Sequence, residues 1–398
     1  MPIPPRLLIF FGVLSVLVVS SHIYLYRRLV RDTSRHPTWR RVGLVLWTVL
    51  GATLVTARPL SALLPSGVTA LLSQFSWYWM GVATYLLLTV MTVGGVRGIA
   101  EWMARRRAAP AAVPAPVSEE RRELLARAGA GVALAATGGF SGYGMWRAFH
   151  PPVVNEVAVK LPGLPRELDG FTIVQLSDIH VGPLIQRRFM DELVARTNAL
   201  KGDLVCITGD LVDGSVEELG PAAAALRELR SRHGTFFCTG NHEYLSGDVE
   251  WCEALPRMGV TVLRNRYVRV GDAGASFDLV GVDDWAAARS GFAQRKYDLA
   301  AATEGRDPSR ASVLLAHQPA GWREQAQKAG MGLQLSGHTH GGQFFPFTGV
   351  VSAVWEHDAG FFREGGYSLY VSRGTGFWGP PLRVAAPPEI VKVTLLAG

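Results

Sequence analysis

The sequence predicts an α/β chain in two parts: a helical membrane region over residues 1–150, then a layered α/β domain over 151–398. Three observations predict it. Four apolar stretches of nearly membrane-spanning length lie before residue 150. Arginines crowd into alternate loops between those stretches. After residue 153, short β-branched runs alternate with helical patterns, and polar groups collect at the ends of the runs. A chain of 398 residues has room for about two to three domains of ~150 residues each.

The apolar stretches run roughly Leu7–Tyr26, Val42–Leu63, Phe75–Val96 and Ala128–Trp146. Each approaches the ~20 residues needed to cross a hydrocarbon core of ~30 Å. Arg58-Pro59 interrupts the second, and the fourth is rich in Ala and Gly. Arg27, Arg28, Arg31, Arg35, Arg40 and Arg41 fill the first loop. Arg97, Arg105, Arg106, Arg107, Arg121, Arg122 and Arg127 fill the third, whereas the second holds only Arg58. Positive loops stay cytoplasmic. Four spans then make a multi-pass cell-membrane protein with its C-terminal domain on the extracytoplasmic side. If the fourth stretch is instead a buried or interfacial helix, the domain falls inside. Arg121-Arg122-Glu-Leu-Leu before an Ala/Gly run is similar to a twin-arginine export signal and agrees with the first orientation. Ala108–Ser118, rich in Pro and Ala, reads as a flexible linker.

Charge divides along the same boundary. Residues 1–150 hold 16 arginines, no lysine and five acidic groups, whereas 151–398 hold 24 basic and 28 acidic residues. The overall net charge of +7 therefore reflects the membrane loops, and no nucleic-acid partner is expected. The lipid bilayer is an expected partner. Cys206, Cys238 and Cys252 have no paired spacing, which excludes a disulfide framework, and the first two read as core.

In the second part, strand-like runs recur at Thr172–Leu176, Leu204–Thr208, Thr235–Thr239, Phe277–Val282, Ser312–Ala316, Gly332–Leu335, Ser368–Val371 and Ile390–Leu396. Helical patterns at Arg188–Leu200 and Gly220–Arg232 separate early runs, which argues helices packed on sheets. Less helix separates the later ones, which suggests mixed or antiparallel pairing. Five runs end in ligand-type groups: Ser177-Asp178-Ile-His180, Gly209-Asp210-Leu-Val-Asp213, Gly240-Asn241-His242-Glu243, His317-Gln-Pro, and Gly337-His338-Thr-His340. Ligands of α/β sheets bind beyond the carboxyl ends of strands. If the strands are neighbours, these groups converge. Asp, His and Asn donors suit divalent Mn, Fe, Zn or Co, and the lack of Cys donors argues against structural zinc. Asp-x-His can place two donors on one ion through the two-residue repeat of an extended segment. Two ions that share a carboxylate can clamp both oxygens of a phosphoryl transfer.

In this order, the set resembles the calcineurin-like metallophosphoesterase superfamily over about residues 170–396. The resemblance implies a layered β-sandwich with flanking helices. It implies a first metal ion on Asp178, His180, Asp210 and His340, and a second on Asp210, Asn241, His317 and His338, with Asp210 bridging. It implies attack on phosphorus by a hydroxide held between the ions, with His242 stabilising charge or protonating the leaving oxygen, and Asp213 and Glu243 orienting these groups. Asp213 stands where purple acid phosphatases carry a ligand tyrosine, so that variant is excluded. Phe171-Thr-Ile-Val-Gln-Leu, Gly341-Gly-Gln343, Val371-Ser-Arg-Gly-Thr-Gly-Phe-Trp, Arg383 and Pro388-Glu-Ile are similar to a membrane-associated bacterial branch, which includes relatives acting on UDP-diacylglucosamine. Arg373 and Arg383 could hold substrate phosphate through guanidinium geometry, or brace the last strands. Trp285, Trp355, Phe361, Phe362, Phe377 and Trp378 could line a lipid or base pocket, or be core or membrane-facing.

The expected function is a membrane-anchored dinuclear phosphoesterase acting on a phosphomonoester or phosphodiester, which could be lipid-linked. A pyrophosphohydrolase on a nucleotide-activated sugar lipid is the alternative enzyme. A scaffold with a degenerate site predicts missing ligands, and none is missing. A transporter predicts charges within the spans, which carry almost none.

Overall fold

The computed structural model describes residues 5–61, 66–107, 118–272, 274–287 and 295–398. It divides into two compact units, Met1–Tyr143 and Gly144–Gly398.

Four helices open the chain: α1 (Pro5–Tyr26), α2 (Pro37–Ser61), α3 (Ser66–Arg107) and α4 (Glu119–Phe149). All four are long and apolar enough to cross a membrane. Apolar side chains such as Val16, Val45, Leu71 and Val132 point outward from them, which suits a helix whose surroundings are not water. Inside, Leu25, Trp47, Leu86 and Val90 form a small core. The indole N–H of Trp79 donates to His22 Nε2 at 3.1 Å, so that buried imidazole is satisfied within the bundle. α3 extends well past the expected span at Val96. Its arginine-rich end stays helical, helped by an Arg97–Glu101 pair one turn apart at 2.8 Å. The predicted linker Ala108–Ser118 lies, Ser118 apart, outside the described residues.

The second unit is a sandwich of two six-stranded sheets. The strands are β1 (Val153–Leu161), β2 (Thr172–Leu176), β3 (Leu204–Thr208), β4 (Thr235–Cys238), β5 (Val260–Val262), β6 (Arg266–Asp272), β7 (Ala275–Gly281), β8 (Ser312–Leu315), β9 (Leu333–Ser336), β10 (Gly360–Glu364), β11 (Tyr367–Val371) and β12 (Glu389–Ala397). One sheet runs β1-β12-β2-β3-β4-β5 and the other β10-β11-β9-β8-β7-β6. In the first, β2, β3, β4 and β5 are parallel neighbours. In the second, β7, β8, β9 and β11 are parallel, and antiparallel pairing is confined to the edge strands β6 and β10. The later strands therefore form a mixed sheet that is mostly parallel.

Strand alternation sorts the core into layers. Ile173, Cys206, Phe277, Val313, Leu333 and Val393 meet between the sheets. Val174, Ile207 and Phe237 face the other way, under α5 (Arg187–Ala199), α6 (Val216–Ala223) and Trp251 of α8 (Asp248–Ala254), which follows the short α7 (Glu243–Ser246). Leu299 of α9 (Leu299–Thr303) packs on the opposite layer. Val280, Leu314 and Leu369 lie under Trp322 and Met331 on the far side. Both faces of the central strands are covered, so β2, β3 and β8 read as mainly apolar runs, with Gln175 the polar residue inside β2. Cys206 and Cys238 are buried free thiols. The helix expected over Gly220–Arg232 instead starts at Ser215, whose side chain accepts from Glu218 N–H, and tightens to a 3-10 turn over Ala224–Glu228.

Candidate metal centre

The carboxyl ends of β2, β3 and β4 in one sheet, and of β8 and β9 in the other, open at one end of the sandwich. Each releases one of the ligand-type segments. Gln175 joins the two sheets just below: its Nε2 donates to Thr208 Oγ1 and to Ser336 O, both at 2.9 Å. The chain then turns sharply. Asp178, His180, Asp210, His338 and His340 all adopt positive φ, at 52°, 56°, 49°, 72° and 51°. Asp178-Ile-His180 is thus not extended; its two side chains meet through left-handed backbone. Such residues cost about 1–3 kcal/mol each and cluster at functional sites. Two glycines make room. A Cβ at Gly240 would lie 2.2 Å from Asp210 Oδ1, and one at Gly337 would lie 2.1 Å from Asp178 Oδ2.

The side chains converge on Asp210. Its Oδ2 lies 3.2 Å from His317 Nε2, 3.8 Å from His180 Nε2 and 3.9 Å from His242 Nε2. Its Oδ1 accepts the backbone N–H of His242 at 2.9 Å. To one side, His340 Nε2 is 3.1 Å from His180 Nε2 and 3.5 Å from Asp178 Oδ1. To the other, His317 Nε2 is 3.2 Å from both Asn241 Oδ1 and His338 Nδ1. Asp178 is fixed from behind by Ser177 Oγ–H at 2.6 Å and the His338 N–H at 3.0 Å.

A second ring of groups orients the first. Asp213 Oδ1 accepts from Nδ1 of His242 at 2.7 Å and of His180 at 3.1 Å. Burial opposes ionisation of Asp213, but His180 and His242 outweigh it and hold the carboxyl below the usual range. Glu243, fully buried, accepts the N–H groups of Asp210, Leu211 and Gly240 at 3.0, 2.8 and 2.6 Å. It thereby ties the β3 and β4 loops together. Burial raises Glu243 to about 7, with Asp210 adding to the rise. His317 Nδ1 donates to Thr208 O at 2.9 Å, which turns Nε2 toward Asp210; burial opposes a charge on this ring, but the Asp210 carboxylate outweighs it and holds the ring charged well above the usual imidazole range. Burial and the neighbouring charge of His317 lower His338 to about 3. His242 goes the other way. Burial works against its charged form, yet the carboxylates of Asp210 and Asp213 raise it to about 9.

The two arginines differ. Arg383 is fully buried. It donates to the carbonyls of Gly376, Arg373, Ala386 and His340, and its Nη2 lies 2.9 Å from His340 Nδ1. A guanidinium only donates, so His340 Nδ1 accepts, and the neutral ring carries its proton on Nε2, toward His180. Arg373 is one-third exposed and pairs with Glu389 at 3.1 Å. Among the aromatics, Trp355 meets His338 edge-on at 5.3 Å and Trp378 meets His242 at 5.5 Å. Phe377 and Phe362 pack in the core layers, Trp285 meets Tyr297 edge-on, and Phe361 is exposed on β10. One carboxylate escaped the sequence reading. Asp284, buried past the end of β7, accepts Gln318 Nε2 at 3.0 Å beside His317, and burial raises it to about 6. Its signal was Val282-Asp-Asp284, another strand end closing in acids.

Among the described residues, three groups of donor atoms, each within 4.8 Å, can hold a metal ion: Asp178, His180 and His340; His180, Asp210 and His242; Asp210, His317 and His338. Donor chemistry favours a cation here. Nε2 of His180 and of His317, the Asn241 amide oxygen and the buried carboxyls of Asp178 and Asp210 face one another at hydrogen-bond to ion-pair distances, a cluster that a cation can share. His317 and His340 must each shed or move a proton to join. The donors are oxygen and imidazole, which suits a borderline divalent ion.

Comparison with known proteins agrees. Residues 171–342 match the family model described as calcineurin-like phosphoesterase. The chain is 33% identical over 405 residues to a transmembrane protein with metallophosphoesterase domain from Bos taurus, covering 98% of this chain and 90% of that one. A namesake from Danio rerio is 35% identical over 81% of this chain and 74% of its own. An uncharacterized metallophosphoesterase from Helicobacter pylori is 38% identical over 63% of this chain and 67% of its own. The chain belongs to the calcineurin-like metallophosphoesterases, metal-dependent phosphoric ester hydrolases, and to the branch that carries membrane helices ahead of the catalytic domain.

Proposed function

We propose that this protein hydrolyses a phosphomonoester or phosphodiester with two divalent ions. Asp178, His180, Asp210 and His340 would hold one; Asp210, Asn241, His317 and His338 would hold the other. The observation that carries this reading is the position of Asp210 between the two histidine clusters, 3.8 Å from His180 and 3.2 Å from His317. Bound there, a pair of ions Mn, Fe, Zn or Co supplies Lewis acidity, which activates water and neutralises charge on the phosphoryl oxygens.

The chain's own groups do the rest. Asp213 takes the Nδ1 proton of His242 as a hydrogen bond, which leaves Nε2 facing Asp210 and the cleft. A protonated His242 can give its Nε2 proton to the leaving oxygen. Glu243 holds the Asp210 and Gly240 loops at one spacing, and Arg383 fixes the His340 ring. We assign Arg383 to positioning, since its nitrogens are engaged inside the protein. Arg373, partly exposed, remains the arginine that substrate phosphate can reach. The arginine-loaded loops support a catalytic domain on the extracytoplasmic side. A second reading, a pyrophosphohydrolase on a nucleotide-activated sugar lipid, draws support from Trp355 and Trp378 beside the site.

Four outcomes are expected. Full-length protein stripped with chelator should lose hydrolysis of bis-p-nitrophenyl phosphate and regain it with one of Mn, Fe, Zn or Co. Asp210→Asn should lower that rate about a thousandfold, roughly 4 kcal/mol of transition-state stabilisation. Failure of every divalent ion to restore turnover would refute the assignment. For His242, the folded value of about 9 means the ring is charged at neutral pH and discharges as pH rises. Bound cations weaken the pull of the carboxylates, so the alkaline limb of kcat/KM should fall at or below about pH 9. His242→Gln should lower the rate and flatten that limb; an unchanged profile would remove His242 as the acid. Finally, protease added to spheroplasts should cut the catalytic unit; complete protection would place it inside and favour a cytosolic nucleotide-linked substrate.

A further inference from the structure

The C-terminal unit presents an apolar face that no described element covers. α10 (Phe347–Val354) buries none of its eight residues. Phe347, Val350 and Val354 are 43%, 53% and 74% exposed, and Phe345 just before them is 54% exposed. Residues 344–355 read Phe-Phe-Pro-Phe-Thr-Gly-Val-Val-Ser-Ala-Val-Trp, without one charge. A helix whose large side chains are all apolar and unburied is out of place in water. This face is also the rim of the cleft. Trp355 closes α10 and lies against His338. Trp378, 48% exposed, lies against His242, and its backbone N–H donates to Gln343 Oε1 at 2.9 Å.

The same segment receives the end of α4. Gly144 O accepts the Arg383 N–H at 3.0 Å, and Phe345 N–H donates to Val384 O at 3.0 Å. A Cβ at Gly144 would lie 2.9 Å from both Leu382 and Val384. The last turns of a helix with membrane-crossing composition thus rest on Leu382-Arg383-Val384, one hydrogen bond from the exposed Phe345. Only His150, Pro151 and Pro152 separate that helix from β1. Trp146 and Phe149, 55% and 40% exposed on its final turns, sit where aromatic side chains mark the membrane–water boundary. A bilayer crossed by that helix would lie beside this segment in every molecule. A second copy or a soluble partner would have to find it by diffusion.

We propose that α10, Phe345 and Trp378 rest in the interfacial layer of the bilayer, so that the metal cleft opens at the lipid surface and takes a phosphate ester carried on a membrane lipid. The substrate half rests on the phosphoesterase reading; the docking half does not.

Full-length protein in phosphatidylcholine vesicles tests both halves. In a Cys252→Ser background the remaining cysteines are buried, so a single cysteine at Val354 can carry an environment-sensitive fluorophore. Spin-labelled phosphatidylcholine is expected to quench that probe, and aqueous iodide is expected to leave it bright. Quenching by iodide alone overturns the docking. Phe347→Lys combined with Val354→Lys is then expected to slow hydrolysis of a p-nitrophenyl diester of phosphatidic acid in the vesicle about tenfold or more. Its rate on soluble bis-p-nitrophenyl phosphate is expected to stay within about twofold of the parent. Equal rates for parent and variant on the lipid ester, or equal losses on both substrates, overturn the substrate half. A parent inactive on both esters refutes hydrolysis itself, and the quenching result still decides the docking.

Discussion

One buried carboxylate organises the catalytic end. Asp210 is almost fully enclosed, yet three imidazoles aim at its Oδ2 and two backbone loops are fastened around it. Burial alone would drive such an acid toward its neutral form. The histidines facing it, led by His317, instead hold it well below the usual carboxylate range. Removing a charge from water costs several kcal/mol unless partners replace the solvent, so this end of the fold depends on opposite charge staying beside Asp210. A divalent ion on either side meets that demand better than a shared proton can.

The rest of the domain holds those donors at fixed spacing. Parallel strands bring Asp178, Asp210 and Asn241 to one edge of the first sheet, while β8 and β9 bring His317, His338 and His340 across from the second. Five donor residues sit in left-handed backbone at about 1–3 kcal/mol each. Their sum is comparable with the ~5–15 kcal/mol net stability of a whole domain. Such strain persists only because the strands below are rigid and the loops are cross-tied, by Glu243 across β3 and β4, by Gln175 across the sheets and by Arg383 behind His340.

Much of this was legible in the residues, for physical reasons. β2 and β3 lie under helices on one face and the opposite sheet on the other, so both read as mainly apolar runs and their bounds match the expected ones. β1, β6 and β10 were not legible. They are edge or near-edge strands with half-exposed faces, and they carry Asn155, Glu156, Lys160, Arg266, Arg269 and Arg363; β5 spans three residues, too few for a pattern. α10 gave no clear helical pattern because it spans only eight residues and carries no charge. The candidate ligands were visible because each follows a strand, but the reason Asp178 and His180 meet was not: the left-handed turn leaves no mark beyond the small residues opposite it. Arg383 could be read as a phosphate clamp or as a brace, and only its burial separates the two.

X-ray anomalous scattering from crystals of the manganese- or zinc-loaded protein tests the shared aspartate most directly. Two peaks ~3.5–4 Å apart are expected, with the Asp210 carboxylate touching both and His180 and His317 on opposite ions. A lone peak, or a pair that does not touch Asp210, would contradict a centre built on that residue.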